Sequence, residues 1–337
     1  MSQKIIISAF ADEAANRRTV LEQMTALSSI GLSYYSPRFI DIENNGTIKH
    51  VVELSDDEFS TLRDYHSEYG MSVTSIGSRV GKIKLLDVDD GSHNKYVEIG
   101  EYLDTEVAMT VKAAKELGTK LIRGFSFYHP RGTEVRDHLA KAAENIRKIV
   151  DVCAANDLVY GVEIEPNLVG EVGSLVAELV AMVDHPNVVS IYDGGNIAAQ
   201  NKKAAECFEE YVAMRPSMGW MHVKDYAIDP SLVWEGAVDE DRLKNFVPCD
   251  SGDSGYTKVL ADLKEHLPAL NEKAAKLGLP GFFLETEPHL KGGGQFGGFS
   301  GPDGMGVAVR TLCSVLDSVG IEYDLRGFDS IREIRGY

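Results

Sequence analysis

The chain has 337 residues, with 34 Lys and Arg against 52 Asp and Glu, a formal net charge of −18. At 44% hydrophobic and 26% charged it has the composition of a globular protein, not of a disordered or fibrous one. The acidic balance opposes nucleic-acid binding, which needs a cationic surface to release counterions, and docking on an anionic membrane.

Read in chain order, short β-rich runs alternate with longer amphipathic ones. The runs are KIIISAF (Lys4 to Phe10), LSYYSPRF (Leu32 to Phe39), MSVTSIGS (Met71 to Ser78) and LIRGFSF (Leu121 to Phe127). They continue with LVYGVEIE (Leu158 to Glu165), VVSIYD (Val188 to Asp193), MGWMHVKD (Met218 to Asp225) and GFFLETE (Gly281 to Glu287). Between them apolar residues recur at spacings of three and four. The clearest stripe, Val135, Leu139, Ala142, Ile146, Ile149 and Cys153, predicts a helix from roughly Thr133 to Ala155 that packs on a sheet. Eight strands each followed by a helix, with no Pro/Gly-rich linker between halves, predict one (β/α)8 TIM barrel over residues 1–337. A doubly wound sheet would want a Gly-rich turn after the first strand, where Ala9-Phe10-Ala11-Asp12-Glu13 stands instead.

No run of about 18 apolar residues is present, so no transmembrane helix is expected. The opening MSQKIIISAFADEAANRR lacks the long apolar region of a signal peptide. Cys153, Cys207, Cys249 and Cys313 are far apart, which predicts neither disulfides nor a zinc site and a cytoplasmic location.

The active site of such a barrel lies at the C-terminal ends of its strands. The second strand ends in Ser36 and Arg38, the third in Ser78, the fourth near His129. The fifth ends in Glu163 and Glu165, the sixth in Asp193, the seventh in His222, the eighth in Glu285 and Glu287. Four successive strands thus each offer a metal-capable side chain. Carboxylate oxygens with one imidazole suit a hard or borderline divalent cation such as Mn²⁺ or Mg²⁺.

The order Glu, Asp-x-x-Asn, His-x-Lys-Asp and Glu-Pro-His across the last four strands resembles the xylose isomerase-like barrels, the sugar phosphate isomerases and epimerases. The resemblance extends to the opening SAFADE, to IGSRVGKI and FSFYHP, and to the closing GVAVRTLCSVLDSVGIEY. It implies one divalent metal, Mn²⁺ first with Mg²⁺ or Co²⁺ as alternatives, on Glu163, Asp193, His222 and Glu287. Glu163 shares strand parity with Glu165, and Glu285 with Glu287, so the choice within each pair stays open. The partners left over, Glu165 and Glu285, would contact substrate or orient the metal ligands, with Lys82 and Lys224 as further substrate-binding groups. Glu163 or Glu287 would serve as ligand and base, with His129 or His289 as the alternative proton carriers.

Long loops are expected after the seventh strand (Tyr226 to Gly255) and the eighth, where LKGGGQFGGFSGPDG offers Gly-rich backbone for a phosphate or a flexible lid. Glu-Pro-His-Leu followed by SGPDG also resembles the large subunits of C-glycoside deglycosidases. That likeness implies a lyase that cleaves the C-glycosidic bond of a 3-oxo-C-glycoside, an oligomer, and a small β-type partner subunit. The alternative is a keto-sugar or sugar phosphate isomerase or epimerase. Phe125, Phe127, Tyr128, Phe296 and Phe299 are candidates to line a pocket for an aromatic aglycone. Ser36 and Ser78 stand where the DNA-repair endonucleases of this fold need extra His and Glu ligands, which opposes that activity.

Overall fold

The computed structural model describes residues 4–239, 241–291 and 299–337. Its parallel strands are β1 (Ile5–Ala9), β2 (Tyr34–Tyr35), β3 (Ser72–Val73), β4 (Ser75–Ile76), β5 (Leu121–Gly124), β6 (Val159–Glu163), β7 (Val188–Asp193), β8 (Met218–Val223), β9 (Phe283–Thr286) and β10 (Tyr323–Asp324). One curled sheet runs β10-β1-β9-β8-β7-β6-β5-β4. The remaining gap is spanned by β2, which pairs with β3 in parallel and meets the end of β1 through a Phe10–Ser36 bridge. All eight predicted strands fall on this ring, the third split into β3 and β4. Most are shorter than the sequence runs suggest: β6 stops at Glu163, and β8 at Val223, before Asp225–Tyr226 turn away to pair antiparallel with Phe246–Val247. The result is the (β/α)8 barrel.

Helices α1 (Val20–Ser29), α2 (Asp56–Tyr69), α3 (Ala108–Glu116), α4 (Leu139–Ala155), α5 (Gly173–Val183), α6 (Gly194–Ala198), α7 (Ala204–Met214), α8 (Tyr256–Lys276) and α9 (Gly301–Val319) alternate with the strands. The predicted stripe of α4 is buried from Leu139 to Cys153, but its helix starts at Leu139 rather than Thr133. The Thr133 hydroxyl bonds the Pro130 carbonyl (2.6 Å) and lies 2.7 Å from His138 Nε2, which ties that stretch into a turn, and a 3-10 segment follows (Val135–His138). Ser55 and Glu58 cap the start of α2 reciprocally, satisfying backbone donors that the first turn cannot.

Period two sets the inside of the barrel. Leu121, Val159, Val189, Ile191, Trp220 and Phe283 form an apolar floor, a cluster separate from the core between sheet and helices. Gly161 makes room for it, because a Cβ there would overlap the Trp220 ring. Two or four residues further along the same strands, at matching parity, stand Arg123, Glu163, Asp193, His222, Glu285 and Glu287. The floor therefore carries a buried polar storey at the C-terminal ends of the strands. Among the described residues no helix is long and apolar enough to cross a membrane.

Candidate metal centre

Glu163, Asp193, His222 and Glu287 come from β6, β7, β8 and the end of β9, and one ligand atom of each lies within 4.8 Å of the others. His222 Nδ1 is the hub: Glu163 Oε1 stands 2.9 Å away, Glu287 Oε2 3.8 Å and Asp193 Oδ2 3.9 Å. All four are buried. Asp193 caps α6 with Oδ1, accepting from Asn196 N at 3.0 Å, which leaves Oδ2 turned to the cluster. The second glycine of Asp193-Gly-Gly-Asn196 is needed here, since a Cβ on Gly195 would sit 2.7 Å from the Lys224 carbonyl oxygen.

Within each ambiguous pair the structure separates the two glutamates. Glu165 lies past the end of β6, bonded to Lys82 Nζ (2.7 Å) and Asn196 Nδ2 (3.1 Å) at the rim. Glu285 lies one step below the quartet, where it takes Ser8 Oγ at 3.1 Å and faces His222 Nε2 at 3.3 Å. It is fully buried behind His222, a position that matches the second of its two expected roles, orienting a metal ligand. Lys224 Nζ reaches Glu287 Oε2 (2.8 Å) and Asp193 Oδ2 (3.0 Å).

His289 and His129 part company. His289 Nδ1 is 2.9 Å from Glu13 Oε1 and its Nε2 3.7 Å from Glu287 Oε1. Its backbone is left-handed (φ 50°), a conformation that costs a non-glycine residue on the order of 1 kcal/mol. The His289 amide donating to Glu13 Oε2 at 2.8 Å helps to hold it there. His129 instead packs its ring on His138 and bonds the Pro130 carbonyl, outside both metal-capable groups of the described residues.

Asp12, Glu13 and Arg123 escaped the sequence reading, and Arg38 was named there only as the end of the second strand. Asp12 and Glu13 follow β1, fully buried. Arg38 donates to Glu287 Oε1 (2.7 Å), Asp12 Oδ2 (3.0 Å) and Glu13 Oε1 (3.5 Å). Arg123 Nη1 stands 3.4 Å from both Glu163 Oε2 and Glu287 Oε1. Phe10 lies under both guanidiniums, at 4.9 and 4.8 Å from its ring centre, and meets His222 edge-on. Phe125 stacks on Arg123 and Lys82, Phe127 belongs to the main core, and Phe125 and Tyr128 pack with Leu168, so these three do not form an open apolar wall. Phe296 and the Gly-rich stretch 292–298 lie outside the described residues. Phe299 is half-buried, with the Lys291 ammonium over its ring.

The electrostatics follow from burial and neighbours. Burial works against a charged Glu163, but His222 and Arg123 outweigh it and hold the carboxyl down at about 2. Burial pushes Asp193 up to about 6 against the pull of Lys224. Burial also opposes a charged His222, yet Glu163 and Glu285 raise it to about 10. Around the quartet six buried carboxylates (Asp12, Glu13, Glu163, Asp193, Glu285, Glu287) face three permanent buried cations (Arg38, Arg123, Lys224). Glu163 Oε2 and Asp193 Oδ2 are buried and accept no well-formed hydrogen bond, and each has a cation beside it, Arg123 at 3.4 Å and Lys224 at 3.0 Å. Buried carboxylates gathered around one imidazole are a donor set that suits a divalent cation, and the quartet could hold one.

The fold and this cluster define a parallel α/β barrel with a buried polar centre at the strand ends. The chain belongs to the xylose isomerase-like TIM barrel family, whose profile matches residues 25–267. It is similar to a xylose isomerase-like TIM barrel protein from Mycobacterium smegmatis in complex with magnesium (16% identity, 94% of this chain and 96% of that one, TM-score 0.59). It is also similar to the probable 3-DHS dehydratase AsbF from Bacillus anthracis (16%, 92% and 99%, 0.60) and to a D-allulose 3-epimerase from Methylomonas sp. (12%, 94% and 99%, 0.61). No curated protein matches the chain.

Proposed function

We propose that this protein is a divalent-metal-dependent enzyme that removes a proton next to a carbonyl group of a sugar or glycoside. The observation that carries the reading is the convergence of Glu163, Asp193, His222 and Glu287 from four consecutive strands, with one ligand atom of each within 4.8 Å of the others. These four would hold the metal, Mn²⁺ in the first instance. When bound, the cation supplies Lewis-acid polarisation of the carbonyl oxygen. Glu285 fixes the ring of His222 through Nε2, leaving Nδ1 for the centre. His289, held by Glu13 beside Glu287, is placed to carry the proton, in preference to His129. Lys82 and Glu165 at the rim are placed to bond substrate hydroxyls, and Lys224 and Arg123 to offset negative charge developing on the carbonyl oxygen.

The leading reading for the outcome is lyase cleavage of a 3-oxo-C-glycoside, in an oligomer with a small partner subunit and in the cytoplasm. The second is isomerisation or epimerisation of a keto sugar. The burial of Phe125, Phe127 and Tyr128 and the polar Lys82–Glu165–Asn196 rim favour the second more than the sequence did. A relative named an epimerase and one named a dehydratase fit either, since both outcomes begin by breaking a C–H bond.

The test is incubation of Mn²⁺-loaded and chelator-stripped protein with 3-oxo-C-glycosides and with free ketoses in D₂O, followed by NMR of the products. Metal-dependent aglycone release supports the lyase, and ketose interconversion with deuterium uptake supports the isomerase or epimerase. Hydrolytic products with no deuterium uptake from either class would reject proton abstraction.

A further inference from the structure

Beside the quartet stands a second group of metal-type side chains, Glu13, Glu287 and His289, whose ligand atoms also lie within 4.8 Å of one another. Glu287 belongs to both. Its Oε2 turns to His222 and Lys224, and its Oε1 to His289 Nε2 at 3.7 Å. A carboxylate shared in this way is the bridge of a two-metal centre. What fills the second seat is a guanidinium: Arg38 donates to Glu287 Oε1, to Glu13 Oε1 and, through Nε, to Asp12 Oδ2. Only 7% of Arg38 is exposed, and its position is fixed from below by the Phe10 ring. Buried Asp12 Oδ1 still lacks a hydrogen-bond donor even with Arg38 present.

We infer that Arg38 is a fixed cation in the seat of a second divalent ion, and that it keeps this centre mononuclear. The inference rests on the quartet being the seat of the first ion. The physical reason is competition: a planar cation with three donors already satisfies the carboxylates that a second ion would need, and a delocalised guanidinium does not dissociate. By claiming Glu287 Oε1, Arg38 also leaves that glutamate one oxygen with which to serve the quartet.

The experiment is Mn²⁺ titration of the full chain, with stoichiometry from equilibrium dialysis and elemental analysis and spin coupling from electron paramagnetic resonance. The wild-type protein is expected to take one Mn²⁺ with an uncoupled signal. Arg38→Gln and Arg38→Ala are expected to take two, with the coupled signal of a metal pair, and Arg38→Lys, which keeps a charge, to return to one. Adding Glu13→Gln to Arg38→Gln should remove the second ion again. If Arg38→Gln does not fold, Arg38→Ser and the Lys variant carry the comparison. Two ions in the wild type, or one uncoupled ion in every folded Arg38 variant, would overturn the inference while leaving the quartet standing. No Mn²⁺ in any of them would overturn it together with the proposed function.

Discussion

The imidazole of His222 turns its Nε2 toward Glu285, 3.3 Å away, on the side opposite Glu163. A buried carboxylate behind a ligand histidine fixes the ring and its tautomer. Glu285→Gln should therefore keep the fold and weaken metal binding by about 10–100-fold. Competition against a chromophoric chelator measures this, and unchanged affinity would mean that Glu285 is only packing.

Asp193→Asn separates two jobs of one side chain. An asparagine oxygen can still accept from Asn196 N and cap α6, so the fold should hold, with a lower melting temperature because Lys224 loses one buried partner. The oxygen facing His222 would lose its charge, and metal affinity should fall by more than about 100-fold, with loss of turnover. Metal analysis of protein purified without chelator, beside a thermal melt, checks both. A variant that unfolds would mark Asp193 as structural.

A buried histidine, His50, and a half-buried one, His66, predict an acid limit. Burial, aided by Arg79 and Arg123, pushes His50 down to about 3, and burial with Arg63 pushes His66, bonded to the Tyr35 hydroxyl, down to about 4. Both folded values lie below the unfolded value near 6.5. Their contribution is thus full above pH 6.5 and is lost as the pH falls from there toward 3–4. At pH 5 His50 alone should withdraw about 2 kcal/mol relative to pH 7. Urea unfolding at the two pH values measures the loss, which His50→Asn should shrink. Equal stability of the wild type at both would contradict the assignment.

Gly161→Ala tests the barrel floor. The added methyl would overlap Trp220, and overpacking of this kind typically costs about 1–3 kcal/mol. A thermal melt should show a drop of several degrees. An unchanged melt would mean that the ring shifts freely.

The barrel was legible because alternation of β-rich and amphipathic runs survives without any knowledge of pairing. The quartet was legible because its residues end their strands as Asp, Glu and His. Arg38 was visible as a strand end but not its ion pairs, and Arg123 was missed, because a cation near a strand end reads as solvated surface. The usable signal was parity: Arg123 is two residues past Leu121 of the floor, as Glu163 is four past Val159. Asp12 and Glu13 sit beyond β1 in a turn, where period two no longer says which way a side chain faces. Glu285 and Glu287 share parity, so only the height of each above the floor tells them apart, and height depends on where the strand begins. Parity says as little of His129, because the backbone past β5 has already turned left-handed at Phe127 (φ 72°).

Trp220 lies two residues below His222 on β8, about 7 Å along the strand, and is wholly buried. The chain's other tryptophan, Trp234, is 38% exposed in the loop after β8. The two indoles should therefore differ in emission colour and in access to iodide. A paramagnetic ion seated over the floor would dim the blue, iodide-protected component, while leaving the red one as an internal standard. Occupancy of the centre could then be followed by fluorescence in untagged protein, before any substrate is known.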